Sequence, residues 1–147
     1  MNNIRDLEPP ANAFTHRFVV SKSDIDDLGH AGNVSWVRWV NEAAGAHSLA
    51  IGLDLEGYRK LGMLWVVRRH EIEYLQAAFE GDQVDAHTWV HSLRGATSLR
   101  RTLFRRADNQ ALLARAETTW VLLALPSGRP TRVPKQLLER YGFSDSH

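Results

Sequence analysis

The chain has 147 residues, with 18 basic against 17 acidic side chains and a formal net charge of +1. That length suits one domain with its own core, and the charge balance offers no overall field to nucleic acid or an anionic membrane. Cysteine is absent, which excludes disulfides, thiolate metal sites and a cysteine nucleophile and fits a reducing compartment.

Residues 1–12 are polar, contain Pro9-Pro10 and read as a flexible lead, with the remaining 13–147 as a single domain. The lead lacks the apolar core of a signal peptide. No window approaches the roughly 18 apolar residues of a spanning helix. The expectation is a cytoplasmic protein with no membrane partner. Residues 14–21 alternate, with Phe14, His16, Phe18 and Val20 on one side, and predict a first strand.

The stretch SDIDDLGHAGNVSW (residues 23–36) then crowds Asp24, Asp26 and Asp27 ahead of an apolar run. Like charges this close give little to a purely structural segment. Read from the residues alone, the stretch is either a solvated turn with capping residues or a place where one acid does chemistry. A helix over residues 33–52 follows, with Asn33 as its N-cap and Gly52 as its stop. Its only formal charges are Arg38 and Glu42, so it is expected to be central and largely buried.

Asp54 caps a short helix over residues 55–61 that Gly62 ends. Four strands come next, over residues 63–79, 84–93, 97–106 and 111–125, with turns at Gly81-Asp82, Arg94-Gly95 and Asp108-Asn109. Pro126-Ser127-Gly128 breaks the last strand, and Pro134 opens a terminal helix that Gly142 ends. Consecutive strands joined by short turns predict an antiparallel meander packed on one buried helix, an α+β architecture. Its unpaired edges favour dimerisation.

His87 and His91 would face together on a helix, but their segment reads as strand and no third ligand is evident, so no metal site is expected. Arg100, Arg101, Arg105 and Arg106 alternate across two faces of a strand and read as a solvated face. Arg101, Arg105, Arg129, Arg132 and Lys135 are candidates to meet the phosphates of a coenzyme, with no choice among them. There is no Gly-x-Ser-x-Gly elbow, P-loop or dinucleotide fingerprint.

The pattern Asp24-x-Asp26-x-x-Gly29-His30-x-x-Asn33, followed by Trp36 and Glu42, resembles the hotdog-fold thioesterases. The group most similar includes 4-hydroxybenzoyl-CoA thioesterase and its acyl-CoA and acyl-carrier-protein relatives. HEIEY (residues 70–74), Gly81-Asp82 and SGRPTRVP (residues 127–134) extend the resemblance over most of the chain. Two departures are Ala31-Gly32, where many relatives have a second asparagine after the histidine, and Trp36, where many have tyrosine.

The resemblance implies a hotdog fold, with one long helix wrapped by a curved antiparallel sheet of about five strands. It also implies hydrolysis of an acyl-CoA thioester by a homodimer or homotetramer. Coenzyme A would be part of the substrate, with no separate cofactor. Asp26 would be the catalytic carboxylate, as base or nucleophile. Asn33 and Val34 would polarise the carbonyl through backbone N–H groups, with His30 orienting. Trp36 and Trp39 would line the acyl pocket, and Asp24 and Glu42 would support the site. An acyl-carrier-protein thioesterase and a non-catalytic acyl-binding dimer are the other readings.

Overall fold

A computed structural model describes residues 7–143. In chain order it contains β1 (Phe14–Val19), a single 3-10 turn (Lys22–Asp24), α1 (Asn33–Ala50), α2 (Leu55–Lys60), β2 (Met63–Tyr74), β3 (Gln83–Arg94), β4 (Thr97–Arg106), β5 (Leu112–Ala124) and α3 (Lys135–Arg140). The strands form one antiparallel sheet in the order β1-β3-β4-β5-β2. This is the α+β hotdog arrangement, a five-stranded curved sheet against a long helix.

The expected meander of four strands is a meander of three. β2 pairs with β5 and not with its sequence neighbour β3, so residues 75–82 cross from the β2 edge of the sheet to the strand next to the opposite edge. Alternating hydrophobicity reports which face of a strand is buried, but not which strand lies beside it. The crossing segment is pinned as it passes under the helix, with Ala78 fully buried and its carbonyl accepting the Ala31 N–H at 2.8 Å.

The inner core is built from large residues on the helix and small ones on the sheet. Trp36, Trp39, Val40 and Ala43 of α1 pack on Val84, Ala86, Phe104, Ala114 and Ala116. Alanines at 86, 114 and 116 leave room for two indoles, and Trp39 lies 4.7 Å from the Phe18 ring. A second cluster, including Leu53, Tyr58, Leu93, Leu122 and Leu137, fills the space beside α2 and α3. On the outer face Leu7 is buried with Trp89 and Leu103, so the end of the N-terminal lead is anchored to the sheet; residues 1–6 lie outside the described residues.

α1 is less buried than its composition suggests. Ser35, Trp36, Trp39, Val40, Ala43 and Ala44 form its covered stripe, while Val34, Glu42, Gly45 and Leu49 are exposed. One sheet covers one side of a helix, and this chain supplies only one sheet. Among the described residues no helix is long and apolar enough to cross a membrane.

Candidate active site

The acidic stretch folds into a closed loop, with Ile25 and Ala31 bridging its two ends. Its three acids take different places. Asp24 is 4% exposed and fully engaged. Its carboxylate accepts from the Ser21 N–H at 2.9 Å, the Ser21 hydroxyl at 3.0 Å, the Ser35 hydroxyl at 2.8 Å and the Arg38 guanidinium. Burial alone would raise its pKa, but these donors, Ser21 N–H first and Arg38 next, hold it down to about 2. Asp24 therefore clamps the loop to the first turns of α1. Arg38 reaches from Asp24 to Glu42, at 3.1 Å, and Glu42 is exposed on the open side of the helix. Asp27 is exposed.

Asp26 is exposed and only half engaged. Its Oδ1 accepts the Leu28 N–H at 2.9 Å, a local turn that fixes the side chain. Its Oδ2 has no hydrogen-bond partner among the described residues, and it lies against Gly32. A β-carbon built on Gly32 would sit 3.2 Å from that oxygen and 3.3 Å from the Asp26 Cβ. Gly29, at φ +87°, supplies the turn that returns the chain to this point.

Gly32, not Asn33, is the N-cap of α1, and Asn33 is its first helical residue. The difference matters chemically. An asparagine cap would have turned its side-chain oxygen onto the first N–H groups. Glycine has nothing to offer, so the amides of Asn33 and Val34 carry no hydrogen bond among the described residues, while Ser35 N–H bonds back to the Gly32 carbonyl at 3.1 Å. Two open donors and the positive end of an 18-residue helix stand beside an unengaged carboxylate oxygen.

These groups line a cleft of about 400 Å³, within the range of small-molecule sites. Asp26, His30, Asn33 and Trp36 form one side, and Tyr74, Leu75 and Gln76, at the start of the crossing segment, form the other. Trp36 packs edge-on against Trp39 at 4.8 Å, Phe104 at 5.2 Å and Tyr74 at 6.3 Å, so its ring is a fixed wall. Trp39 lies behind it in the core and does not line the cleft. His30 keeps its Nδ1 3.4 Å from the Ala31 carbonyl and its ring edge-on to Phe79. Val34 does not line the cleft; its side chain is exposed, and only its position next to Asn33 at the helix start connects it to the site.

His87 and His91 stay apart, one bonded to Thr15 and the other beside Arg101. No group of three or more metal-ligating side chains occurs among the described residues. The arginine strand departs most from expectation. Arg100 and Arg101 are buried, not solvated, and Arg101 is bound to Glu117 at 3.1 Å, which removes it from the phosphate-binding candidates. Arg100 lies 3.0 Å from His47 on the inner face, beside Tyr58 and Tyr141. The signal for it was present: Arg100 alternates in phase with Thr102 and Phe104, so it had to point inward with them.

An exposed carboxylate, open helix amides and an aromatic-walled cleft thus stand together on a hotdog scaffold. The model of the thioesterase-like superfamily matches residues 20–141, and the chain belongs to that family. It is 26% identical over 131 residues to a chloroplastic palmitoyl-acyl carrier protein thioesterase of Gossypium hirsutum, covering 84% of this chain and 32% of that protein. This chain thus spans about a third of the length of that relative. Among solved structures it is similar to a 1,4-dihydroxy-2-naphthoyl-CoA thioesterase from Synechocystis, with a TM-score of 0.81 and 21% identity over 88% of this chain and 96% of that one. A Staphylococcus aureus protein in complex with CoA superposes with a TM-score of 0.80 and 16% identity, covering 92% and 88% of the two chains.

Proposed function

We propose that the chain hydrolyses an acyl-CoA thioester to a free acid and CoA, with Asp26 as the reacting carboxylate. The observation that carries this reading is the unengaged Oδ2 of Asp26 lying against Gly32, where the Asn33 and Val34 amides are open. As a base, Asp26 takes a proton from water as the water oxygen bonds to the carbonyl carbon; the carbon–sulfur bond then breaks and the proton passes to the departing thiolate. As a nucleophile, the same oxygen bonds to the carbonyl carbon, and the carbon–sulfur bond breaks to release the CoA thiolate. Water then cleaves the anhydride, its oxygen going to the acyl group and its proton to the thiolate. In both routes the two amides hold the oxygen that becomes negative. His30 orients the loop, and Trp36 bounds the acyl group. Asp24 and Glu42, joined through Arg38, hold loop and helix in register.

CoA as carrier is supported by the CoA bound to the structurally similar Staphylococcus aureus protein. The acyl-carrier-protein alternative is favoured by the chloroplastic relative. The substrate brings its own coenzyme, and the mechanism uses no other cofactor. A homodimer or larger homo-oligomer is the expected assembly. β2 is an edge strand of 12 residues with Val66 and Val67 exposed, and α1 leaves Val34 and Leu49 uncovered.

The test is hydrolysis of matched acyl-CoA and acyl-carrier-protein thioesters by wild type and Asp26→Asn. A loss of about 10²–10⁴-fold in kcat/KM is expected for the variant. A folded variant that keeps most of its activity overturns the role of Asp26. A wild type that hydrolyses neither carrier's thioesters, while still binding them, returns the fold to the acyl-binding reading.

A further inference from the structure

The molecule holds a second cavity, of about 200 Å³, that shares no lining residue with the Asp26 cleft. It lies along the C-terminal half of α1, between Ser48, Tyr58 of α2, Trp65 of β2, Arg100 of β4 and Trp120 of β5, with Tyr141 beyond α3. Its central polar group is Arg100, which is 4% exposed. The guanidinium donates through Nη1 to His47 Nδ1 at 3.0 Å and to Thr88 Oγ1 at 3.1 Å. Among the described residues no carboxylate pairs with it; its partners are an imidazole and hydroxyls.

Buried arginines ordinarily stand opposite a carboxylate, because an uncompensated charge inside a protein is costly. The surroundings of Arg100 supply neutral acceptors, His47, Thr88 and Tyr141, and, among the described residues, no anion. The Tyr58 and Tyr141 hydroxyls are 2.8 Å apart, and Tyr141 is 2.9 Å from the Ser48 hydroxyl. Three hydroxyl protons meet in two mutual bonds, which leaves one proton for a further acceptor. The indole N–H of Trp120, also on the lining, is buried with no partner. Arg100, the hydroxyl cluster and Trp120 thus line one cavity whose described lining puts no carboxylate on the guanidinium. Among the described residues the only acid on its lining, Asp54, is exposed and occupied as the cap of α2, accepting the Gly57 N–H at 2.7 Å.

We propose that this cavity binds a small carboxylate carried on an apolar ring or short chain, with the carboxylate on Arg100 and the apolar part among Leu64, Trp65 and Val90. A carboxylate has two oxygens and about four acceptor sites, enough for the guanidinium fork and the spare donors. An apolar cavity of about 150 Å³ holds benzene, so this space admits a ring of that size with a carboxylate attached. The carboxylate has two sources, a free acid or the far end of a thioester's acyl group. The inference rests on the cavity's own geometry and not on the role of Asp26.

Binding of benzoate, 3-phenylpropanoate and hexanoate to the full chain, by calorimetry and the fluorescence of Trp65 and Trp120, tests it. Benzamide is the neutral control. Saturable binding of the acids is expected, with benzamide about tenfold or more weaker. Arg100→Gln should lose about tenfold, Arg100→Lys should recover part of that loss, and Tyr141→Phe should lose a smaller factor. Asp26→Asn should bind as wild type does, so a failure of the thioesterase reading leaves this result untouched. No saturable binding at millimolar acid, equal binding of benzoate and benzamide, or loss of binding in Asp26→Asn each overturns the proposal. Thioesters ending in a carboxylate or a methyl group separate the sources. A KM advantage for the carboxylate that Arg100→Gln removes assigns the site to the substrate's far end; no advantage, with the acids still bound, assigns it to a free acid.

Discussion

The two ends of α1 solve opposite electrostatic problems. At the N-terminal end an exposed carboxylate, Asp26, stands beside two open amides, so donors and acceptor are both present and water has access. At the C-terminal half a buried guanidinium, Arg100, stands among neutral acceptors with, among the described residues, no anion. The first end, as the proposed reaction reads it, offers both an acceptor and donors to a substrate. The second is incomplete as structure. A charge in solvent costs little whatever its neighbours, whereas a buried one without its opposite weakens the fold until something fills the place. Exposure makes a site reactive, and burial makes it selective.

Both ends share one core, so the harshest way to break the contrast is to remove what they share. Trp39→Ala should lower unfolding free energy by about 3–5 kcal/mol, read by chemical denaturation, because it empties the contact between Phe18 and Trp36. A loss below about 1 kcal/mol would mean that the helix is held by other contacts. Gly32→Ala acts at the reactive end alone. Its Cβ would meet Asp26 Oδ2 at 3.2 Å, and displacing that oxygen should cost about tenfold in kcat/KM, with a much smaller effect on stability. Unchanged kcat/KM would separate Asp26 from the helix start. Arg100→Met acts at the other end and should raise unfolding free energy by about 1 kcal/mol, since it removes an uncompensated buried charge. A comparable fall would mean that its bonds to His47 and Thr88 already compensate it.

The sequence was legible where local chemistry decides the outcome. The segment 97–106 is a strand with those bounds because Arg94-Gly95 and Asp108-Asn109 mark both turns. The hotdog family was readable from the acidic loop and the order of segments after it. What was not legible depends on partners distant in sequence. The placement of β2 beside β5 is a pairing across long stretches of chain, Met63 with Ala124 and Tyr74 with Ala114 among them. The cap moved from Asn33 to Gly32 because the Asp24 carbonyl holds the Gly32 N–H at 3.0 Å, which fixes where the helix can begin. Arg100 and Arg101 looked like surface residues because arginine usually is one. The alternation through Thr102 and Phe104 outweighed that tendency for Arg100, and Arg101 is buried on the other face with Glu117 and His91 as its partners.

Acid should take the two ends apart in sequence. His47 is held at about 4, below its ordinary 6.5, first by burial and then by the positive charge of Arg100, with Tyr141 edge-on and Phe14 stacked on the ring. The unfolded chain binds a proton there that the folded chain refuses, so this contribution is full above pH 6.5 and drains as pH falls toward 4. Burial lowers His70, His87 and His91 as well, so they share the upper part of that window. Asp24, held at about 2 against an ordinary 3.8, loses its contribution only as pH falls through that lower range. Unfolding free energy measured against pH should therefore fall first between about 6.5 and 4 and again below 3.8. His47→Gln should flatten part of the first fall and leave the second, while Asp24→Asn should do the reverse at a lower overall stability. If His47→Gln leaves the first slope intact, the imidazole is not the neutral acceptor of the Arg100 N–H. The electrostatic contrast between the two ends would then be smaller than the geometry implies.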